Sequence, residues 1–194
     1  MRVAILLAAG ASRRFGASNK LFARWDGQSL LARALRIAKA APVQRLIVVT
    51  GAQGARVAAE VRREARDAMV VRAPDHREGL GASLRAASRR LRVIDRAAFV
   101  FLADMPWLPP EQAQILLRRA RLGDAFVRPA CRGRPGHPVL VRGRALAMLR
   151  TARGDEGLGR ASGVRAKLLG ADRRCTADVD RAGALGRRVA RLRR

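Results

Sequence analysis

Four runs of small and branched apolar residues punctuate this chain: "RVAILLA" (2–8), "RLIVVTG" (45–51), "AMVVRAP" (68–74) and "AAFVFLAD" (97–104). None alternates polar with apolar, as a strand with one wet face would. Continuous short runs of this kind suit strands buried on both faces. Helical spacing separates them. "QSLLARALRIAKAA" (28–41) carries apolar residues on one helical face and stops at Pro42. "GARVAAEVRREA" (54–65) and "GASLRAASRRLR" (81–92) repeat the pattern, as does "EQAQILLRRAR" after Pro109 and Pro110. Further on, "DAFVRPA" and "HPVLVR" read as shorter strands, "RALAMLRTA" as a helix, and the tail 181–194 as helical. Strand–helix alternation of this kind predicts an α/β fold of three layers, a mostly parallel sheet covered by helices on both faces. At 194 residues the chain is expected to form one domain spanning 1–194. Ligands of such sheets bind outside the carboxyl ends of the strands, so chemistry is sought in the loops that follow them.

Charge is the other unusual quantity. The formal net charge is +26, with a pI near 12. Arginine is spread along the whole length, and no zinc-finger spacing or aromatic-rich RNA-binding pattern accompanies it, so a nucleic-acid partner is not favoured. A solvated basic surface that attracts polyanionic small ligands is the simpler reading. No apolar run approaches the roughly 18 residues of a membrane span. The first ten residues lack the length and processing site of a secretory signal. Cys131 and Cys175 have no metal-type spacing. A cytoplasmic, reducing setting without a disulfide or membrane partner is therefore expected.

The strand 2–8 runs straight into "AGASRRFGASNKL". Gly10 and Gly16 permit close approach to the backbone. Successive free amides in such a loop form an anion-binding concavity, and Arg14 and Lys20 add fixed charge. Lys20 is one of only three lysines, with Lys39 and Lys167, among 41 basic residues. The layout suits a nucleoside triphosphate. It is neither a Walker loop, since no G-K-[ST] follows, nor a G-x-G-x-x-G dinucleotide fingerprint. Asp104 supplies a second element: an acid at the end of a buried strand, in "FLADMPWL" (101–108), aims a carboxylate at the mouth of the sheet. Mg²⁺ bound to phosphates takes one or two such carboxylates plus water. An N-cap role for Asp104 is the plainer alternative. In "DHREGLGASL" (75–84), Gly79 and Gly81 read as a flexible turn before a helix capped by Ser83. His137, in "CRGRPGHPVLV" (131–141), stands in a loop that leads into a strand, where a lone histidine is most often structural.

Read as L-A-A-G-x-S-x-R-F-G-x-x-N-K-L, residues 7–21 resemble the signature of the nucleotidyltransferase superfamily that includes the molybdenum cofactor cytidylyl- and guanylyltransferases. The resemblance implies a nucleotide-diphospho-sugar-transferase-like, Rossmann-like fold and an opening loop that wraps the triphosphate. Leu7, Ala8, Ala9 and Gly10 would then face the base and ribose, with Ser12 beside the phosphates that Arg14 and Lys20 hold. Asp104 would be a metal ligand, although Ala103 stands where the family usually has glycine. Arg14, Lys20 and Asp104 would be the catalytic set. Gly81 and Ser83 would close over the base. His137 would lie on the acceptor side, as would Arg160 of "GDEGLGR" (154–160), which has one residue more than the family's G-D-x-G-A-R. In "ADVDRAG" (177–183) the resemblance makes Asp180 a second metal ligand, beside Asp178; capping or surface aspartates are an equal reading.

The implied activity is transfer of CMP from CTP to the terminal phosphate of molybdopterin or molybdenum cofactor. Pyrophosphate leaves, and the cofactor is Mg²⁺, with Mn²⁺ possible. The product would pass to a molybdenum hydroxylase or its maturation chaperone. Ala9 favours CTP over GTP, because A-A-G marks the cytidylyl members and a methyl there narrows the space beside the base. A guanylyltransferase and an isoprenoid-type cytidylyltransferase remain alternatives of the same class. A non-catalytic nucleotide-binding regulator or delivery partner is the alternative of another class.

Overall fold

A computed structural model describes residues 1–10, 15, 19–154 and 165–179. Its strands are β1 (Arg2–Ala8), β2 (Arg24–Trp25), β3 (Gln28–Ser29), β4 (Arg45–Thr50), β5 (Met69–Arg72), β6 (Ala97–Leu102), β7 (Phe126–Cys131), β8 (Arg134–Pro135), β9 (Val139–Arg142) and β10 (Lys167–Gly170). Its α-helices are α1 (Leu30–Lys39), α2 (Gly54–Glu64), α3 (Leu80–Ser88) and α4 (Gln112–Arg119). The main sheet runs β10-β7-β9-β6-β1-β4-β5, with β8 paired to β7. β1 pairs in parallel with both β4 and β6, and β4 with β5. β9 lies antiparallel to both its neighbours, β6 and β7. The sheet is thus mostly parallel, as the uninterrupted apolar runs predict. Among the described residues, no helix is long and apolar enough to cross a membrane.

β1 shows how the three layers arise. Ala4, Leu6 and Ala8 pack with Leu31 and Leu35 of α1, Val57 and Val61 of α2, and Leu116 of α4. Val3, Ile5, Leu7 and Ala9 point the other way, onto Leu84 and Ala87 of α3 and onto Ala145 and Leu149. The alternation of side chains along a strand therefore buries both faces of the same seven residues. Burying a Leu or Ile side chain contributes about 1.5–3 kcal/mol, which makes this central strand a heavily stabilised part of the sheet.

Several expected boundaries move, each for a local reason. Helix α1 starts at Leu30 rather than 28, because the Ser29 side chain accepts from the Ala32 amide as an N-cap. Gln28 and Ser29 instead pair with Trp25 and Arg24 across Asp26 and Gly27. Both turn residues have positive φ (53° and 75°), the backbone of a two-residue hairpin. The expected helix at 144–152 is a 3-10 helix, Gly143–Arg150, entered directly from β9 without a side-chain cap. Ser83 does not cap α3. The helix already begins at Leu80, with Gly79 at φ 102° in the cap position, and Ser83 lies buried inside it. Gly81 is likewise helical rather than part of a turn. A Cβ on it would come within 2.6 Å of the Arg153 backbone, and its amide donates to the Gly154 carbonyl. The predicted helix at 181–194 lies outside the described residues.

The three lysines share one property. Lys20 pairs with Asp104 (2.6 Å), Lys39 with Asp67 (3.2 Å) and Lys167 with Asp124 (2.7 Å). Both cysteines are free, and burial pushes the Cys175 thiol up to about 12.

Candidate functional site

β1 and β6 end side by side. Ala103 continues their pairing by donating to the Leu7 carbonyl (3.1 Å). β6 stops at Leu102, two residues earlier than the apolar run suggests, so Asp104 sits in the turn that follows. Above these strand ends lies a cavity of about 350 Å³. Leu7, Ala8, Ala9 and Gly10 form its β1 side, and Leu102, Ala103 and Asp104 its β6 side. Lys20 and Leu21 close one flank, while His76, Arg77, Gly79, Leu80 and Ser83 close the other. Among the described residues nothing lies within 4 Å of the place a Cβ on Gly10 would take, which leaves room there for an incoming group.

Lys20 and Asp104 form the charged centre. The Asn19 side chain accepts from the Leu21 amide and caps the short 3-10 helix Lys20–Phe22, which fixes the lysine's position. Lys20 Nζ donates to Asp104 Oδ2 at 2.6 Å and to the Val179 carbonyl at 2.9 Å. The Val179 amide returns a hydrogen bond to the Asp104 carbonyl (2.9 Å). Asp104 Oδ1 is buried and, among the described residues, has no hydrogen-bond partner. An ionised oxygen in that state is costly unless something positive meets it. The donor set fits a hard divalent cation that brings its own phosphate and water ligands. Among the described residues there is no cluster of three or more His, Cys, Asp or Glu.

Of the residues singled out in the sequence, Leu7, Ala8, Ala9, Gly10, Lys20, Ser83 and Asp104 meet in this cavity. Gly81 does not line it. Ser12, Arg14, Arg160 and Asp180 lie outside the described residues. His137 does not line it either. Its Nδ1 sits 3.3 Å from the Val100 carbonyl, and its backbone amide donates to the Cys175 carbonyl. Burial, with the Arg128 guanidinium adding to it, lowers the His137 pKa from 6.5 to about 4; the Val100 hydrogen bond only partly opposes this. The sequence motifs alone do not point to His76, Arg77, Leu80 and Leu102. A histidine beside an arginine just after β5 is the available signal for the first two.

The His137 environment has a measurable consequence. The folded group is the weaker proton acceptor, so the unfolded chain takes the proton first as pH falls. This contribution to stability is intact above about pH 6.5 and drains away between 6.5 and about 4. At about 1.36 kcal/mol per unit the full loss is about 3 kcal/mol, of which about 2–3 kcal/mol is gone by pH 4.5. Urea unfolding at pH 7.5 and 4.5 should show wild type losing that much more than His137→Asn. Equal losses in both proteins would show that His137 titrates normally in the fold.

A wider groove of about 830 Å³ opens between α1 and α2, lined by Phe22, Arg36, Arg56, Glu60 and Arg63 among others. It touches no strand end of the parallel sheet and holds its carboxylates in ion pairs or caps. The smaller cavity, with its open glycine, lysine and unpartnered carboxylate oxygen, is the candidate site.

A lysine, a carboxylate and a stretch of open backbone thus meet at the carboxyl ends of a mostly parallel sheet, where sheets of this kind bind their ligands. The profile of the MobA-like NTP transferase domain matches residues 4–171, and the chain belongs to that family. The fold is similar to that of the manganese complex of Rv0371c from Mycobacterium tuberculosis H37Rv (22% identity, TM-score 0.70, 88% of each chain). It is also similar to molybdopterin-guanine dinucleotide biosynthesis protein A from Archaeoglobus fulgidus (20%, 0.70, 96% of each chain). A third likeness is to 4-diphosphocytidyl-2C-methyl-D-erythritol synthase from Anaerococcus prevotii DSM 20548 (11%, 0.80, 100% of this chain and 96% of that one). No curated protein matches the chain.

Proposed function

We propose that residues 1–194 form one cytoplasmic nucleotidyltransferase domain that moves CMP from CTP to the terminal phosphate of molybdopterin or molybdenum cofactor. The observation that carries this reading is the Lys20–Asp104 pair beside the open backbone of Gly10. An oxygen of the acceptor phosphate forms a new bond to the α-phosphorus of CTP, and the bond from that phosphorus to the bridging oxygen of the β-phosphate breaks. Pyrophosphate carries away the electron pair. The acceptor oxygen is already ionised, so no general base is required. Positioning and charge stabilisation supply the acceleration.

Lys20 neutralises phosphate charge from the flank of the cavity, joined in this reading by Arg14, with Ser12 beside them. Leu7, Ala8, Ala9 and Gly10 take the base and ribose, and Ser83 lies against them from α3. Asp104, with Asp180, would hold Mg²⁺ or Mn²⁺, which when bound supplies further charge neutralisation to the phosphates. Arg160 serves the acceptor side. His137 belongs to the same side in this reading, its ring oriented by the Val100 carbonyl. A molybdenum hydroxylase or its maturation chaperone would receive the product.

Pyrophosphate release measured with each of the four nucleoside triphosphates, with and without molybdenum cofactor, tests the reading. Release is expected with CTP, dependent on the cofactor, at a kcat/KM roughly 10²–10⁴ above that for GTP. A preference for GTP would replace cytidylyl by guanylyl transfer. No release with any triphosphate would favour a nucleotide-binding regulator.

A further inference from the structure

His76 lines the cavity with a fixed orientation and, among the described residues, one ring nitrogen without a hydrogen-bond partner. It belongs to a short 3-10 turn, His76–Glu78, between β5 and α3. Its near end is sealed against backbone. A Cβ on Gly51 would lie 2.6 Å from the ring's Cγ and 2.7 Å from the Ala9 carbonyl. Only a glycine at 51 lets the imidazole lie this close to the end of β1, next to Ala9, which in the reading above narrows the base site. The ring is also oriented. Nδ1 stands 3.2 Å from the Ala73 carbonyl, and a carbonyl oxygen only accepts. In the neutral ring, Nδ1 therefore carries the proton, and Nε2, across the ring from it, is left as an acceptor.

An acceptor held at the base end of a nucleotide site discriminates by the edge of the base. Cytosine presents an exocyclic amino donor at its 4-position, whereas uracil presents a carbonyl acceptor there. We infer that His76 is a specificity-determining residue whose Nε2 accepts a hydrogen bond from the 4-amino group of cytosine, selecting CTP against UTP. Ala9 and His76 then act on different properties of the base. The methyl limits its size, and the imidazole tests its hydrogen-bonding edge. The inference rests on the cytidylyl reading above. It adds that a pyrimidine of the right size but the wrong edge is rejected.

The test uses the full chain with Mn²⁺ and calorimetric titration of CTP, UTP and GTP. Wild type, His76→Phe and His76→Gln are compared, with thermal melting as a check on folding. Phenylalanine keeps a ring against Gly51 and removes the acceptor; glutamine restores an acceptor oxygen. CTP affinity is expected to fall about 10–100-fold in His76→Phe, with UTP affinity moving less than about 3-fold and His76→Gln recovering part of the loss. If CTP and UTP weaken alike, His76 is only a packing residue and the inference fails. It also fails alone if wild type prefers CTP and His76→Phe keeps that preference. If wild type binds UTP or GTP at least as tightly as CTP, the inference and the cytidylyl reading fall together.

Discussion

Asp104→Asn is expected to lower turnover on the order of 10²–10³-fold while the protein melts within a few degrees of wild type. The asymmetry of the two carboxylate oxygens explains why. Oδ2 is satisfied by Lys20, and an asparagine oxygen can still accept that hydrogen bond. Oδ1 is buried with no hydrogen-bond partner among the described residues, so the substitution breaks no hydrogen bond there. What asparagine removes is the negative charge that a divalent cation and its phosphates would meet. Steady-state pyrophosphate release and a calorimetric melt on the same preparations decide the matter. Turnover near that of wild type would remove Asp104 from the reacting centre.

Lys20→Ala should lower kcat/KM for CTP about 10²-fold, and Lys20→Arg should recover little of it. The ammonium bridges two acceptors, Asp104 Oδ2 and the Val179 carbonyl, from a short helix capped by Asn19. A guanidinium is a planar fork on a different stem and does not reproduce a compact charge held between two oxygens. That requirement accounts for a lysine at this place in a chain with only three lysines among 41 basic residues. Because Lys20 and Asp104 touch, their losses should not multiply. The double variant Lys20→Ala/Asp104→Asn is expected to be less impaired than the product of the single effects. Affinity and rate unchanged in Lys20→Ala would make the segment around residue 20 a connector and nothing more.

The layers of the fold are readable in the sequence because their cause is local. β1, β4 and β6 announce themselves as apolar runs, and the helices between them by their spacing. Lys20, Asp104, Ala9 and Gly10 are readable as well, since a strand end followed by glycine, or by Asp-Met-Pro, is a feature of contiguous residues. Ser83 reads as a cap in the sequence and is not one, because the start of α3 is set elsewhere, by the backbone at Gly79 and by the Gly81–Gly154 hydrogen bond. His76 escapes a reading of the sequence for the same kind of reason. Its place is defined by Gly51 and Ala9, both remote in the chain, and no window of neighbouring residues carries that information. The 3-10 geometry of Gly143–Arg150 escapes too, since helical periodicity alone does not separate a tight helix from an ordinary one.

The pairing of every lysine with an aspartate turns the ammonium groups into natural reporters. An acylating reagent has three side-chain amines to modify, against 41 basic residues in all. They differ in accessibility: Lys39 is 43% exposed, Lys167 31% and Lys20 15%. Their labelling order, read by mass spectrometry, is therefore a fingerprint of the folded state. Lys20, the last to react, reports on the cavity through its own chemistry, without a fluorophore or an engineered residue.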